Sequence, residues 1–317
     1  MTRPFRHDHL LGIEDLDARD VIQVLDTAEV FREVSRRPVR KVPTLRGKTV
    51  INLFYEASTR TRTSFELAGK RLSADVVNIS ASTSSAKKGE SLSDTVRTIE
   101  AMHPDVVVMR HASSGAPHYV ATQVACSVIN AGDGMHEHPT QALLDAFTIR
   151  RRRGSLSNLV VTICGDIAHS RVARSNAMLL RLFESEVRVV GPGTLLPPDM
   201  EGMGVKVFRR LPEALEGADV VMVLRVQQER LEGALLPSLR EYARTFGIGP
   251  DRLALAKPDA LLMHPGPMNR GVELDPRVAD GVHSVVLDQV EAGVAVRMAL
   301  LYLLVGDVGA APAAGEG

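Results

Sequence analysis

Four short runs with almost no polar interruption constrain the fold most: Asp105-Val106-Val107-Val108-Met109, Leu159 to Cys164, Val220 to Leu224, and Ala260 to Met263. A strand with one wet face alternates polar and apolar residues. Unbroken apolar runs of this length instead mark strands buried on both faces, as in parallel sheets covered by helices on each side. Each run stops abruptly, at Arg110-His111, Gly165-Asp166, Arg225 and His264-Pro265 respectively.

Further strands are expected at Lys48–Phe54, Val76–Ile79, near Val128-Ile129-Asn130, at Val187–Val190 and at Val205–Val207. Helical patterns alternate with them. The first carries Ile13, Leu16, Val21, Ile22, Leu25, Ala28 and Val30-Phe31 and ends before Pro38. Others run over Ser64–Ser73, with Phe65, Leu67, Ala68 and Leu72 packing, over Ser91–Met102, from Pro139 to Arg153, and through Ala173, Ala177, Leu179, Leu180 and Leu182. Short helices follow at Pro212–Leu215 and on either side of Gly247, and a last one carries Leu287, Val290, Val294, Met298 and Leu301.

The pattern restarts between Arg153 and Asn158, and 317 residues are enough for two cores. The expected fold is α/β: two doubly wound parallel-sheet domains with the active-site cleft between them, and a C-terminal helix packing back on the first domain. The expected bounds are 1–153 with helix 285–305 for the first domain, 154–284 for the second, and a disordered Gly/Ala-rich tail at 306–317.

Ligands of such sheets bind beyond the carboxyl ends of the strands. The unusual polar groups of this chain fall there. After the first strand, Glu56 to Glu66 packs two arginines and five hydroxyl side chains into a strand-to-helix junction. Helix-start amides, the hydroxyls of Ser58, Thr59 and Thr61, and the forks of Arg60 or Arg62 make a phosphate seat. Arginines at a helix start oppose the dipole, so an anion there explains them better than a bare solvated turn does. Arg110, the His138-Pro139-Thr140-Gln141 loop, Arg171, Arg225 with Gln227, and His264 to Pro267 occupy the other strand ends. Two arginine-rich walls imply phosphate on the first and carboxylates on the second.

Several features read more plainly. Arg150 to Arg153 would complement the dipole of a solvated helix end, because lysine plus arginine balances aspartate plus glutamate at 38 each and nothing global favours nucleic acid. Lys87-Lys88-Gly89, in a loop poor in apolar anchors, reads by itself as solvated charge. Cys126 and Cys164 sit in or beside apolar runs and read as buried rather than as disulfide, metal ligand or nucleophile. No zinc-type spacing and no G-x-G-x-x-G fingerprint is present, so neither metal nor dinucleotide is expected. No apolar run of signal or membrane-spanning type occurs, and a cytoplasmic enzyme is expected.

Taken together, Ser58-Thr59-Arg60-Thr61-Arg62, Lys87-Lys88-Gly89-Glu90, Met109-Arg110-His111, His138-Pro139-Thr140-Gln141, Arg225-Val226-Gln227 and His264-Pro265-Gly266-Pro267 resemble, along essentially the full chain, the aspartate/ornithine transcarbamylase family. The resemblance implies cofactor-free transfer of the carbamoyl group of carbamoyl phosphate to the amine of L-aspartate in pyrimidine synthesis. It implies that Ser58, Thr59, Arg60 and Thr61 hold the phosphate, and that Arg110, His138 and Thr61 polarise the carbamoyl oxygen. By the same resemblance Arg60, Thr61, Arg110 and His138 would form the catalytic set. Gln141, with backbone carbonyls near Pro265 and Gly266, would orient the carbamoyl amide, and Arg171, Arg225 and Gln227 would hold the aspartate carboxylates. The lysine loop also changes meaning: Ser84 and Lys88 would reach from an adjacent subunit of a homotrimer, Lys88 toward aspartate. Whether regulatory chains or a dihydroorotase join such trimers stays open.

Two alternatives stand beside this reading. An ornithine enzyme would carry His-Cys-Leu-Pro near its end and a Ser-Met-Gly loop, both absent here, and a second arginine repels ornithine. A non-catalytic scaffold of a pyrimidine-pathway complex would not require intact motifs. One departure is Gly266, where some members carry leucine; the implied role belongs to its carbonyl.

Overall fold

The computed structural model describes residues 5–80, 90–198, 200–226 and 238–306. Its contacts define two compact units, one taking the chain up to Leu144 and again from Glu291 onward, the other Asp145–Val290.

In the first unit the strands are β1 (Thr49–Phe54), β2 (Asp75–Ser80), β3 (Val106–His111) and β4 (Ser127–Asp133), all parallel in the order β2-β1-β3-β4. The chain starts in the middle, steps to the edge, and returns to the other side of β1. The order of travel therefore reverses between β1 and β3, where a doubly wound sheet opens its ligand crevice. Helices α1 (Ala18–Arg36), α2 (Thr59–Arg71), α3 (Leu92–Glu100) and α4 (Ala116–Ala121) connect and cover these strands. One face buries Ile51, Leu53, Val107, Met109 and Val128 against Val96, Ile99 and Val120. Among the α1 side chains, Phe31 meets Tyr302 edge-on at 5.5 Å and Ser35 reaches Met298.

The second unit places β5 (Val160–Cys164), β6 (Glu186–Val190), β7 (Lys206–Phe208), β8 (Val220–Val223) and β9 (Leu261–Met263) in the parallel order β7-β6-β5-β8-β9. Its reversal lies between β5 and β8. Helices α6 (Arg171–Arg181), α7 (Leu211–Leu215), α8 (Leu239–Phe246), α9 (Pro250–Leu253) and α10 (Pro276–Ala279) belong to it. Leu211, Leu215, Val221, Val223, Leu253 and Leu262 build one core layer. The division between the units falls inside two helices, α5 (Pro139–Arg153) and α11 (Val286–Val305).

The parallel α/β architecture agrees with the sequence reading, and four details differ. Helix α1 begins at Ala18, behind a capping box of Asp17 and Asp20, so Ile13 and Leu16 are buried outside the helix. Leu67, expected to pack in α2, is exposed. On α11, Leu287 and Val290 are 82% and 55% exposed while Gln289 between them is buried, and apolar burial begins with Ala292 and continues through Ala295, Val296, Met298 and Ala299. The second half of that helix is apolar nearly all round, so periodicity alone could not choose its buried stripe. Arg153 is not a solvated helix end: it bonds the carbonyls of Asp219 and Asp259 at 2.7 and 2.8 Å and the Asp259 carboxylate at 2.5 Å.

Candidate active site

The chain leaves β1 at Phe54 and enters α2 after four residues, with Ser58 in an extended N-cap conformation (φ −156°, ψ 92°). The helix starts five residues ahead of Ser64, so Thr59, Arg60 and Thr61 form its first turn. The Ser58 hydroxyl makes no capping hydrogen bond, and no acidic residue occupies that turn. The first intrahelical bond is donated by Arg62 N to Ser58 O at 3.1 Å. The amides before it have no acceptor within the helix and point toward the end where the dipole favours an anion. Thr59 and Arg60 are exposed and Thr61 is buried, while Arg62 turns aside to Ser80 Oγ at 3.0 Å.

Arg110 lies on the adjacent strand across the sheet's reversal, in register with Phe54. Its Nη2 donates to Glu56 Oε1 at 2.5 Å and its Nη1 to Ala131 O at 3.4 Å. His138 is buried just before α5; its carbonyl accepts from Gln141 N at 3.0 Å, and its Nδ1 lies 3.4 Å from Thr140 Oγ1. The first unit thus gathers Ser58, Thr59, Arg60, Thr61, Arg110, His138 and Gln141 on strand ends or on the helix starts that follow them.

The sequence reading missed two carboxylates that shape this end of the sheet. Asp133 accepts from Asn130 Nδ2 (2.8 Å) and Glu137 N (3.1 Å) with one oxygen, and from Gly115 N (2.7 Å) with the other, which also lies 3.1 Å from His136 Nδ1. Buried Glu137 accepts from Ile13 N with both oxygens at 3.0 Å. The only advance sign was Gly132-Asp133-Gly134 beside the His138 loop. The fold also brings atoms of His118, Asp133 and His136, and of Glu14, His136 and Glu137, within 4.8 Å of one another, a metal-capable grouping that sequence spacing did not reveal. The hydrogen bonds of Asp133 and Glu137 already account for both acids as braces of the loop.

In the second unit Arg171 opens α6, behind Ser170, whose hydroxyl accepts from Ala173 N at 3.1 Å. Arg171 is buried. Arg225 follows β8, the strand next to β5 across the reversal, and the two strands are tied by Leu224 N to Cys164 O at 2.8 Å. Both arginines therefore stand beyond the carboxyl ends of the switch-point strands. Behind them Asp166 Oδ1 accepts from His169 N at 3.2 Å and lies 2.8 Å from His169 Nδ1. After β9 the chain turns through His264 to Pro267, with a cis Gly266-Pro267 peptide and Gly266 at φ +65°, a left-handed conformation that suits glycine better than leucine. Ser84, Lys88 and Gln227 lie outside the described residues.

These features define a class: an α/β protein of two units, each presenting anion-binding groups at its own switch point, one phosphate-like and one suited to carboxylates. Models of the aspartate/ornithine carbamoyltransferase carbamoyl-P binding domain and Asp/Orn binding domain match residues 8–151 and 157–304. The chain belongs to the aspartate/ornithine carbamoyltransferase family. It is 68% identical to the aspartate carbamoyltransferase catalytic subunit of Sorangium cellulosum over 316 residues, covering 100% of this chain and 98% of that one. It is 64% identical to that of Syntrophotalea carbinolica, covering 95% and 96%. Among solved structures, Trypanosoma cruzi aspartate transcarbamoylase in complex with carbamoyl phosphate and aspartate matches with a TM-score of 0.86 at 30% identity, covering 96% of this chain and 100% of that one. Ornithine carbamoyltransferase from Pyrococcus furiosus also gives 0.86, at 28% identity, covering 97% and 99%. Overall shape therefore does not separate the two activities; the amino-acid-binding side chains must.

Proposed function

We propose that this chain transfers the carbamoyl group of carbamoyl phosphate to the amine of L-aspartate, releasing N-carbamoyl-L-aspartate and phosphate, a step of pyrimidine (UMP) synthesis. The observation that carries the choice of aspartate is the pair Arg171 and Arg225, one beyond each switch-point strand of the second unit. Two guanidinium groups match two carboxylates and repel an ornithine side chain.

In this reading residues 1–153, joined by helix 285–305, are the carbamoyl phosphate-binding domain and residues 154–284 the aspartate-binding domain. Ser58, Thr59, Arg60 and Thr61 hold the phosphate with the first-turn amides of α2. The amine attacks the carbamoyl carbon, and the carbonyl oxygen takes negative charge as the tetrahedral intermediate forms. Arg110, Thr61 and His138 stabilise that oxygen, the histidine as a neutral hydrogen-bond donor. Gln141 and the carbonyls of Pro265 and Gly266 orient the carbamoyl amide, which fixes the approach of the amine. The C–O bond to phosphate then breaks, and the leaving phosphate accepts the amine proton. Arg171, Arg225, Gln227 and Lys88 hold aspartate in the second domain. The reaction as written calls for neither metal nor organic cofactor.

We assign the active form to a homotrimer in which Ser84 and Lys88 serve a neighbouring subunit's site, and the setting to the cytoplasm. The support is the family resemblance of the Lys87 to Glu90 motif. Among the described residues no helix is long and apolar enough to cross a membrane. A colorimetric carbamoyl-transfer assay with aspartate and with ornithine tests the reading. Turnover with aspartate alone is expected; preference for ornithine, or no turnover with either, overturns it.

A further inference from the structure

The turn after β9 is anchored by a buried pair that the reaction as described does not use. The side chains of His264 and Glu273 are both 0% exposed, with His264 Nε2 3.3 Å from Glu273 Oε1. Gly266 N donates to His264 Nδ1 at 2.8 Å, so Nδ1 carries no proton and the ring's N–H is on Nε2, facing the carboxylate. His264 is also pinned through its main chain. Its amide donates to Gln289 Oε1 (3.0 Å), Gln289 Nε2 donates to Asp145 Oδ1 (2.7 Å), and Asn176 Nδ2 donates to Asp145 Oδ2 (2.9 Å). Glu273 Oε1 accepts from Asn269 N and stands 3.3 Å from His264 Nε2, which makes no hydrogen bond, so one carboxylate holds the chain beyond Pro267 and sets its negative charge against the N–H edge of the ring.

Stability alone does not account for this pair. Replacing buried ionic groups by apolar ones is often neutral or stabilising, whereas a buried acid with an unpartnered oxygen, as Glu273 Oε2 is, carries a desolvation cost. The pair does supply direction: a ring locked in one tautomer accepts the Gly266 N–H and thereby fixes the Pro265-Gly266 peptide plane, carbonyl included.

We propose that Glu273 is a positioning residue for carbamoyl transfer, its charge holding His264 as the Nε2–H tautomer so that the Pro265 carbonyl is aimed at the carbamoyl amide. The inference rests on the carbamoyl-transfer reading above. It separates ligands that carry the amide from those that do not. In the assembled enzyme, Glu273→Leu is expected to weaken phosphonoacetamide, a stable amide-bearing analogue, and to lower kcat, each by about tenfold, the scale of a lost hydrogen bond. Inorganic phosphate, which has no amide, is expected to bind as before. Glu273→Gln keeps a carbonyl oxygen facing the N–H edge of the ring and should recover most of the loss.

Imidazole 15N shifts give a readout apart from activity. His264 Nε2 should be the protonated nitrogen in the parent and in the Gln variant, and the two tautomers should mix in the Leu variant. Equal weakening of phosphonoacetamide and phosphate, unchanged binding of both, or an Nδ1–H tautomer in the parent would each overturn the proposal. A parent enzyme that binds phosphonoacetamide and shows the expected tautomer but does not carbamoylate aspartate would instead overturn the parent reading.

Discussion

Arg110 illustrates how one side chain is made ready for a charge that exists only during reaction. Its guanidinium leans on Glu56, which holds the fork in place beside the start of α2. Arg110→Ala is expected to lower kcat by about 10²–10³, or about 2.7–4 kcal/mol, the range for loss of one oxyanion donor; steady-state kinetics at saturating substrates measures it, and an unchanged kcat would remove Arg110 from that role. Its neighbour His111 packs on Tyr55 at 4.9 Å, and burial holds the imidazole below the ordinary histidine value of 6.5. The unfolded chain then takes up this proton at a higher pH than the folded chain does. The His111 contribution to stability is therefore complete above 6.5 and is lost as pH falls below it. Melting temperatures of the parent and of His111→Asn across that range should converge toward the acid side; parallel curves would contradict the assignment. The motif side chains, from Ser58 to Gly266, were legible because each is an uncommon residue at a strand end. Asp133, Glu137 and Glu273 were not, since they act on backbone amides or a histidine ring brought close only by folding.

At the scale of elements, the parallel strands were legible because runs such as Val106 to Met109 leave few alternatives. Helix boundaries were less so. The apolar pattern of α2 begins only at Phe65, yet the helix begins at Thr59, because an extended Ser58 sets the start. Helix α4, six residues from Ala116 to Ala121, is too short to show a period and went unnoticed. The ends of β5 and β6 carry a sharper requirement. A Cβ on Gly191, just past β6, would collide with the carbonyl oxygen of Gly165, just past β5. Gly191→Ala is accordingly expected to destabilise the protein by about 1–3 kcal/mol, the usual cost of overpacking, and to disturb the strand end that leads to Arg171. Chemical denaturation gives the first effect and aspartate KM the second; a variant as stable as the parent would show that the two strand ends can part without cost.

The largest scale is that of the assembled chain, where the division into two units could be read from the restart near Arg153, but its position inside α5 and α11 could not, because an unbroken helical pattern hides it. Assembly leads to a mixing experiment. Lys88→Gln and Arg60→Ala chains, each inactive alone, are expected to regain activity when dissociated and reassembled together, since some mixed trimers would contain a site built from two intact partners; no recovery in verified hybrids would rule out shared sites. Finally, the chain has two cysteines, and each unit holds one: Cys126 in the first and Cys164 in the second. Burial pushes both thiols up, Cys126 to about 12 with help from Glu100, and Cys164 beyond that range. Both are therefore poor nucleophiles while covered. A disulfide reagent under native conditions should reach each only when its surroundings open, so two labelling rates would time the breathing of the two units separately, with no probe engineered in. Cys164, sealed at 1% exposure, is expected to be the slower; reaction of both at the rate of a free thiol would show that neither shell closes.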